Sequence, residues 1–380
     1  MINEFLNAIA KSIEQNKSLY HEIKDGDSFE KHVFAEMKKF SVITNEFNVS
    51  KVEHNGSHSF PDLKVTFSNN TIYGVEIKFS ASGNWKSKGN SVFESLSNKE
   101  LDDRAYKDIY VFFGRKPKAR EDIQNLEVRF APYGSSIDKI EVTHSPRFSI
   151  NMNQKESNLM NLFGLDNTYA DFRIKKNEEK NKLLRTYFQQ VTKKSGFDKW
   201  YMPDSTGEEP TVEPLLFSSL KEAQRQQIIA ESFILFPFDL IRKKAYYMNV
   251  VPYMISKHFV YSSALRDSFS ASGKTVILEN EIKYPRILMT FYNHVTKIKE
   301  VLRNPPYESF ERDCHISWEK AKIEHPQIPI NLNKEDSLEY SFEQIIKNYK
   351  PEMEIFEIKT NSTFITNIDL SKFYHLELLV

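Results

Sequence analysis

The chain has 380 residues and a mass of 44.6 kDa, with 52 basic and 52 acidic residues and no formal net charge. This balance excludes a globally basic field that would attract nucleic acid to the whole surface. Hydrophobic residues make up 40% and aromatic residues 13%, which is too apolar for an intrinsically disordered chain. The single cysteine, Cys314, excludes intramolecular disulfides and a cysteine-based zinc site.

The length and the hydropathy pattern limit the class of protein further. No apolar segment approaches the roughly 20 residues that a membrane helix needs, and the N-terminus lacks the apolar core of a signal peptide. The length is sufficient for about two domains. We therefore expect a cytoplasmic protein that does not enter a membrane, with one domain at residues 1–152 and another at residues 153–380.

In chain order, the first part of the sequence alternates between helical and strand-like patterns. Residues 1–20 have apolar residues at helical spacing, and Asp27-Ser28-Phe29-Glu30 resembles a capping box with Asp27 as N-cap. A further helix is predicted near residues 91–106, after a polar loop at residues 80–90. The predicted strands are Ser41–Val49, Pro61–Phe67, Ile72–Phe79, Asp108–Phe113, Leu126–Ala131 and Ile140–Ile150. This order predicts an α/β domain with a mixed central sheet flanked by helices.

The second part of the sequence has a different pattern. Residues 173–194 hold eight basic and two acidic residues and predict a charged helix. Residues 220–269 are rich in aromatic side chains and predict further helices, whose rings we expect to form a core. Short strands are predicted at residues 354–360 and 363–369. These patterns predict a mainly helical C-terminal domain.

The segment from Pro61 to Phe79 is the most informative in the chain. Its odd positions are apolar and its even positions are polar or small, on both sides of an asparagine-rich turn, which predicts a β-hairpin with one buried face. Residues paired across such a hairpin share a face, so the apolar faces match only if paired residue numbers sum to an even value near 138 or 140. This register places Asp62 opposite Glu76 or Lys78, away from the core.

The side chains that this register brings together have a recognisable chemistry. Two neighbouring carboxylates repel each other unless a cation neutralises them, and Mg²⁺ prefers such oxygen ligands. A lysine beside them can act on an attacking water or neutralise developing charge. Asp62, Glu76 and Lys78 therefore predict metal-assisted hydrolysis of a phosphodiester. The alternative is an exposed polar strand face with a surface ion pair of little energetic consequence.

The motif formed by Pro61-Asp62, thirteen intervening residues and Glu76-Ile77-Lys78 resembles that of the PD-(D/E)XK nuclease superfamily, which includes type II restriction endonucleases. The resemblance covers roughly residues 25–150 and implies a restriction-endonuclease-like core. It implies that Asp62 and Glu76 bind Mg²⁺ and that the Ile77 carbonyl adds a ligand. It also implies that Lys78 acts on the water. Glu30 matches an acidic residue that some members carry on the first core helix, although its capping-box position offers a purely structural alternative.

Other basic and polar motifs are candidate binding sites. The candidates for phosphate contacts near the motif are Lys86, Lys88, Arg115, Lys116, Lys118 and Arg120, with solvated loops as the alternative. The charged helix at residues 173–194 is a further candidate. The segment Ser270–Thr275 lacks the upstream glycine of a phosphate-binding loop, so no nucleotide cofactor is expected.

The sequence therefore predicts a Mg²⁺-dependent, sequence-specific endonuclease of the type II restriction class that cleaves double-stranded DNA. The C-terminal domain would serve target recognition, dimerisation or both, and a homodimer is expected because a two-fold protein matches a palindromic site. One alternative is a modification-dependent or repair nuclease with the same core. Another is a catalytically inactive DNA-binding or defence-associated interaction protein, against which the intact Asp62, Glu76 and Lys78 argue.

Overall fold

A computed structural model gives the fold of the chain. It describes residues 1–43, 47–56, 59–94, 106–117, 125–153, 168–195, 201, 213–270, 274–277, 281–324 and 335–376. The chain divides into two compact units, Met1–Glu141 with Arg147–Lys176, and Val142–Pro146 with Asn177–Val380. The main division thus lies between Lys176 and Asn177, whereas the sequence pattern suggests a change near residue 152. Within the described ranges, no helix is long and apolar enough to cross a membrane.

The first unit contains a mixed central sheet flanked by helices. Its sheet strands are β1 (Val49–His54), β2 (Leu63–Phe67), β3 (Ile72–Ser80), β5 (Tyr106–Arg115) and β6 (Glu127–Pro132). Their order is β1-β2-β3-β5-β6, and only β3 and β5 pair in parallel. The helices are α1 (Ile2–Gln15), α2 (Leu19–Glu22), α3 (Gly26–Ile43), α4 (Tyr133–Ser136) and α5 (Tyr169–Arg173). A separate sheet has the order β4-β8-β7, with β4 (Lys86–Ser91), β7 (Ile137–Val142) and β8 (Pro146–Asn151).

The main core of this unit lies between the central sheet and the first helices. Apolar residues at helical spacing on α1 and α3, including Phe5 and Phe29, are fully buried in the same cluster as Leu63, Val65 and Val75. The period of two along β2 and β3 thus supplies a continuous apolar face, as the sequence pattern predicts. The opposite face of β3 is also covered, because residues of both faces, Val75 and Glu76 among them, are buried.

The register of the β2–β3 hairpin agrees with the prediction from burial. Leu63 pairs with Val75 and Val65 pairs with Tyr73, so that paired residue numbers sum to 138. The even sum places the apolar residues of both strands on one face, and the predicted register is confirmed. It also brings Asp62, directly before β2, opposite Glu76.

Several local predictions are wrong, and the first concerns helix α3. The predicted strand Ser41–Val49 fails because α3 continues to Ile43 and β1 starts at Val49. The predicted N-cap is also displaced, because Asp27 lies inside the helix. Asp25 Oδ1 accepts the Ser28 N–H at 2.9 Å, and Ser28 Oγ accepts the Asp25 N–H at 3.0 Å. These two reciprocal hydrogen bonds form the cap at the start of the helix, so Glu30 has no capping role.

The predictions after β3 are partly wrong as well. The predicted polar loop at residues 80–90 contains the start of β4, and the segment Ile140–Ile150 forms parts of β7 and β8 rather than one strand. Of the helix predicted at residues 91–106, residues 92–94 form a turn and the stretch 95–105 lies outside the described residues. The irregular polar sequence of this region contains no clear period, which explains the errors.

The second unit is mostly helical but also contains strands. Its helices are α6 (Asn177–Ser195), α7 (Glu222–Leu235), α8 (Pro237–Leu240), α9 (Val250–Tyr253), α10 (Leu265–Ser270), α11 (Arg286–Arg303), α12 (Phe310–Glu324), α13 (Leu338–Asn348) and α14 (Leu370–Tyr374). An antiparallel sheet of β11 (Lys274–Ile277), β12 (Ile282–Pro285), β13 (Glu352–Glu357) and β14 (Ser362–Asn367) has its strands in that order, and β9 (Leu215–Leu216) pairs with β10 (Val260–Tyr261). Buried aromatic rings contribute to its core, as predicted. The ring centres of Phe233 and Phe291, for example, lie 5.4 Å apart.

The close approach of β3 to Pro61 generates a test of the fold. A Cβ at Gly74 would lie 2.5 Å from Pro61 Cγ and 3.1 Å from Ile109 Cγ1. We expect Gly74→Ala to lower the free energy of unfolding by about 1–3 kcal/mol because the packed neighbours must move. The matched control is Gly26→Ala, where no atom lies within 4 Å of the added Cβ. Urea denaturation of both variants checks this, and equal stabilities would contradict the packing.

Candidate active site

Asp62 and Glu76 lie opposite each other where the β2–β3 hairpin meets the preceding segment. Asp62 Oδ2 accepts a hydrogen bond from the Ile77 N–H at 2.7 Å. The backbone of β3 therefore fixes the Asp62 carboxylate beside the strand that carries Glu76. Burial raises the pKa of Asp62, while the Ile77 hydrogen bond and the Lys78 ammonium act in the opposite direction.

Glu76 is the most deeply buried acid of the hairpin, with 4% of its surface exposed. Its Oε1 accepts a hydrogen bond from Lys78 Nζ, whereas its Oε2 is buried and lacks a protein partner when both carboxyl groups are ionised. Burial raises the pKa of Glu76 to about 8; Lys78 opposes this rise and the Asp62 charge adds to it. Two carboxylates cannot donate to each other, so Glu76 and Asp62 share a hydrogen bond only when one of them carries a proton.

Lys78 is the cation of the site, and its side chain is 21% exposed. Burial alone would lower its pKa, but the Glu76 carboxylate and the hydrogen bond to it outweigh this effect and raise the pKa. Lys78 therefore remains charged at neutral pH in the metal-free site. As an ammonium, it can orient an anion or neutralise developing negative charge, which are electrostatic roles rather than that of a base.

The burial of Glu76 excludes the alternative of an exposed polar strand face. A surface ion pair has both partners in water, whereas Glu76 Oε2 is enclosed without a hydrogen-bond partner. Such a buried acceptor is costly unless a proton or a cation neutralises it. Because of this burial, placing Asp62 beside Glu76 costs free energy unless one of the carboxyl groups is neutralised. The sequence pattern does not show this cost.

The donor set fits Mg²⁺ better than a metal held by protein ligands alone. Among the described residues, no group of three or more His, Cys, Asp or Glu side chains could hold a metal ion. Asp62 and Glu76 supply two carboxylates, and Mg²⁺ commonly binds one or two carboxylates while keeping several waters. The unpartnered Glu76 Oε2 is an oxygen that a cation could use.

Glu30 on α3 belongs to the same electrostatic environment. Burial is the largest influence on the pKa of both Asp62 and Lys78, and nearer groups follow it. The Glu30 charge is a smaller influence that raises both pKa values. Glu30 Oε1 lies 2.6 Å from His54 Nε2, and His54 Nδ1 accepts the Gly56 N–H at 2.9 Å. This arrangement gives Nε2 the proton, which it donates to Glu30. The sequence pattern does not identify His54, because a single histidine on a strand has no characteristic spacing to other residues.

Two further residues near the site were also missed. Arg173 is 5% exposed, and its Nη2 donates to the Phe60 carbonyl at 2.8 Å, directly before Pro61-Asp62. Its Nε lies 3.4 Å from Glu94 Oε2. Burial is the main cause of the raised pKa of Glu76, and the charge of Glu94 adds a smaller contribution in the same direction. The sequence placed Arg173 only in the charged segment 173–194, and neither residue had a signal for a place at the site, because their proximity depends on where α5 packs.

The predicted phosphate contacts differ in their availability. Lys86 and Lys88 are exposed at alternate positions of β4, and therefore on one face of the strand. Arg115 is engaged within the fold, with bonds of 2.7 Å to Glu127 Oε2 and to the Gly83 carbonyl. Lys116 Nζ lies 5.2 Å from the centre of the Tyr20 ring. Lys118 and Arg120 lie outside the described residues.

The charged segment at residues 173–194 is not a single exposed face. Arg173, Lys180 and Arg185 are 5%, 2% and 4% exposed, respectively. Buried cations cannot reach a phosphate without a rearrangement of the helix. The net charge of a segment thus overstates the number of side chains that are available to DNA.

Comparison of the sequence with protein-family models and with curated proteins finds no match in either. The resemblance of the chain to PD-(D/E)XK nucleases remains a prediction from the sequence. The arguments for its function are the contacts, burial and charges of Asp62, Glu76 and Lys78.

The raised pKa of Glu76 predicts how the metal-free protein responds to pH. A carboxyl group whose pKa is higher in the folded state stabilises the fold below its unfolded value of 4.5, and this contribution is lost as pH rises toward about 8. We expect Glu76→Gln to be more stable than the natural protein at pH 9, by roughly 1–4 kcal/mol, because each pKa unit corresponds to about 1.4 kcal/mol. At pH near 4, where both side chains are neutral, the difference should nearly vanish.

Urea denaturation in the presence of EDTA measures this difference. The matched control is Glu53→Gln, because Glu53 is a partly exposed acid on β1 of the same sheet. It should leave the difference between pH 4 and pH 9 unchanged. A Glu76→Gln variant that is less stable than the natural protein at pH 9 would contradict a raised pKa of the buried Glu76 carboxyl group.

Proposed function

We propose that this protein is a Mg²⁺-dependent endonuclease that hydrolyses phosphodiester bonds in double-stranded DNA, of the type II restriction class. The observation that carries the proposal is the meeting of Asp62, Glu76 and Lys78 at one partly enclosed position, where Glu76 Oε2 has no protein partner once both carboxyl groups are ionised. This combination of two hard oxygen donors with a cation suits a metal ion and a phosphate together.

Each residue of the site has a distinct proposed role. Asp62, held by the Ile77 N–H, and Glu76 would bind the metal. The Ile77 carbonyl would offer a further ligand. The bound Mg²⁺ would lower the pKa of a coordinated water and polarise a phosphoryl oxygen. Lys78 holds the anionic phosphate or the attacking water and neutralises the charge that develops on the phosphate. Glu30 favours the charged form of Lys78.

The order of elements supports the proposal of a restriction-endonuclease-like core. Helix α3 and the strands β1, β2, β3 and β5 occur in this order along residues 26–115, with β4 of the separate sheet between β3 and β5. The acidic residues lie on β3 and just before β2. The resemblance implies a core of a helix, three strands, a helix and another strand, which fits α3, β1, β2, β3 and β5. The helix expected between β3 and β5 falls largely on residues outside the described ranges.

We further propose that the enzyme cleaves a specific sequence as a homodimer. Each chain carries one candidate active site, so two chains supply the two sites that cleavage of both DNA strands requires. Two-fold symmetry would match a palindromic target with a single set of contacts. A modification-dependent or repair nuclease would share the site but differ in its substrate, and an inactive DNA-binding protein would lack cleavage altogether.

The first experiment tests the chemistry of the site. Asp62→Asn and Glu76→Gln should each abolish Mg²⁺-dependent cleavage of a mixed plasmid library, because each removes an anionic metal ligand. Lys78→Met should lower the cleavage rate by about 10² or more, because it removes the cation that faces the phosphate. Circular dichroism and DNA binding in Ca²⁺ establish that the variants remain folded and still bind.

The substrates are chosen so that the outcomes separate the alternatives. Discrete fragments from unmethylated DNA support a restriction enzyme, and cleavage only of methylated or damaged DNA supports the second class of nuclease. Glu53→Gln serves as the charge-matched control and should cleave normally. DNA binding by the natural protein without cleavage in Mg²⁺ or Mn²⁺ would support the inactive binding protein and overturn the proposed activity.

The second experiment tests the exposed lysines of β4. We expect the double variant Lys86→Glu and Lys88→Glu to weaken DNA binding for all sequences. We also expect the slope of log affinity against log salt to fall by about two, since each lost phosphate contact removes about 0.9. Lys51→Glu with Lys372→Glu is a control of equal charge change. Equal losses in the two double variants would indicate a general charge effect and contradict a phosphate contact at β4.

A further inference from the structure

Strand β14 forms one edge of the four-stranded sheet in the second unit. Four of its six residues are exposed, and its two large apolar side chains, Phe364 and Ile365, are 41% and 48% exposed. These adjacent residues point to opposite faces of the sheet. The strand thus presents apolar surface on both faces together with an edge of backbone hydrogen-bonding groups.

The composition of β14 differs from that of the other edge strands. Among the described strands, the other edges of the three larger sheets all carry charged residues, which discourage edge-to-edge pairing. These residues are Lys51 and Glu53 on β1, Glu127 and Arg129 on β6, Lys274 on β11, Lys86 and Lys88 on β4, and Asp138, Lys139 and Glu141 on β7. Strand β14, with the sequence Ser-Thr-Phe-Ile-Thr-Asn, has no charge and no proline. It alone among these edges lacks such protection.

The direction of the free backbone groups follows from the pairing with β13. The Ile368 N–H donates to the Pro351 carbonyl at 2.9 Å, so this pair is of the hydrogen-bonded type. Such pairs alternate along an antiparallel ladder, which makes Phe364 with Ile355 a hydrogen-bonded pair as well. The backbone N–H and C=O groups of the intervening residues Thr363, Ile365 and Asn367 therefore point away from β13.

We propose that two copies of this chain pair through β14, antiparallel and about a two-fold axis at Ile365. In this register Ile365 lies opposite the same residue of the second copy, and Thr363 lies opposite Asn367. All the outward-facing residues of the strand are then paired. The alternative that places Phe364 opposite itself would pair Asn367 with Asn361, whose positive φ of 49° bends it out of a ladder.

The chemistry of the strand favours a second copy over a different partner. A heterologous strand would gain no charge complementarity from β14, whereas in the two-fold register every outward-facing residue of β14 pairs with an outward-facing residue of the same strand. The two sheets would join into one of eight strands and cover Ile365 from both copies. The contact area of a single strand pair is small, so the dimer should be concentration-dependent. This inference does not depend on the proposed nuclease activity.

Disulfide cross-linking tests both the interface and its register. We expect Ile365→Cys to form an intermolecular disulfide under mild oxidation, because directly opposed residues lie within the distance that a disulfide spans. The natural Cys314 is fully buried and should not react. Thr363→Cys and Asn367→Cys should not cross-link alone but should cross-link to each other when the two proteins are mixed. Phe364→Cys is the exposure-matched control and should form no intermolecular disulfide, because in this register Phe364 does not lie opposite itself.

Sedimentation of the natural protein and of Ile365→Lys completes the test. The natural protein should dimerise with rising concentration, whereas two lysines placed opposite each other should reduce association at least about tenfold. Cross-linking of Phe364→Cys as efficient as that of Ile365→Cys would overturn the register. A natural protein that stays monomeric at its highest soluble concentration, with no Ile365→Cys disulfide, would overturn the interface. Dimerisation unaffected by Ile365→Lys would assign the contact to another surface.

Discussion

The enclosure of the Glu76 carboxylate is the constraint on which the site depends. Glu76 lies on the central strand of the sheet, and its side chain is removed from water on a covered face. Lys78 satisfies one of its oxygens, and the other has no protein partner when both Glu76 and Asp62 are ionised. The two carboxyl groups therefore create an imbalance of charge that favours a proton, and the same imbalance would favour a divalent cation. The fold thus keeps an electrostatically unfavourable carboxylate at the candidate active site.

The surrounding elements maintain this arrangement through contacts that are distant in sequence. Helix α3 brings Glu30 to His54, and α5 brings Arg173 to the carbonyl that precedes Pro61. The backbone of β3 holds Asp62. Since each contact comes from a different element, the site's precision depends on the packing of the whole first unit rather than on the hairpin alone.

The parts that could be predicted from sequence are those governed by a short period. The alternation along residues 61–79 determined the faces and the register of the hairpin, because a one-residue slip would expose every apolar side chain. The encounters of Arg173 with Glu94 and of His54 with Glu30 depend on packing between distant segments and leave no local pattern. The displaced cap of α3 shows a further limit, since Asp25 and Asp27 flank the first residue of the same helix and only the hydrogen bonds distinguish them.

The contact of Arg173 with Phe60 has a consequence for how the site forms during synthesis. The two residues are separated by 113 positions, so the turn before Asp62 gains this bond only after α5 has left the ribosome. A nascent chain that ends near residue 152 can complete the β2–β3 hairpin but still lacks this tether. The candidate active site is therefore completed late, after the strands that carry its acids. A truncated gene product ending there would contain the recognisable motif without the guanidinium that holds it in place.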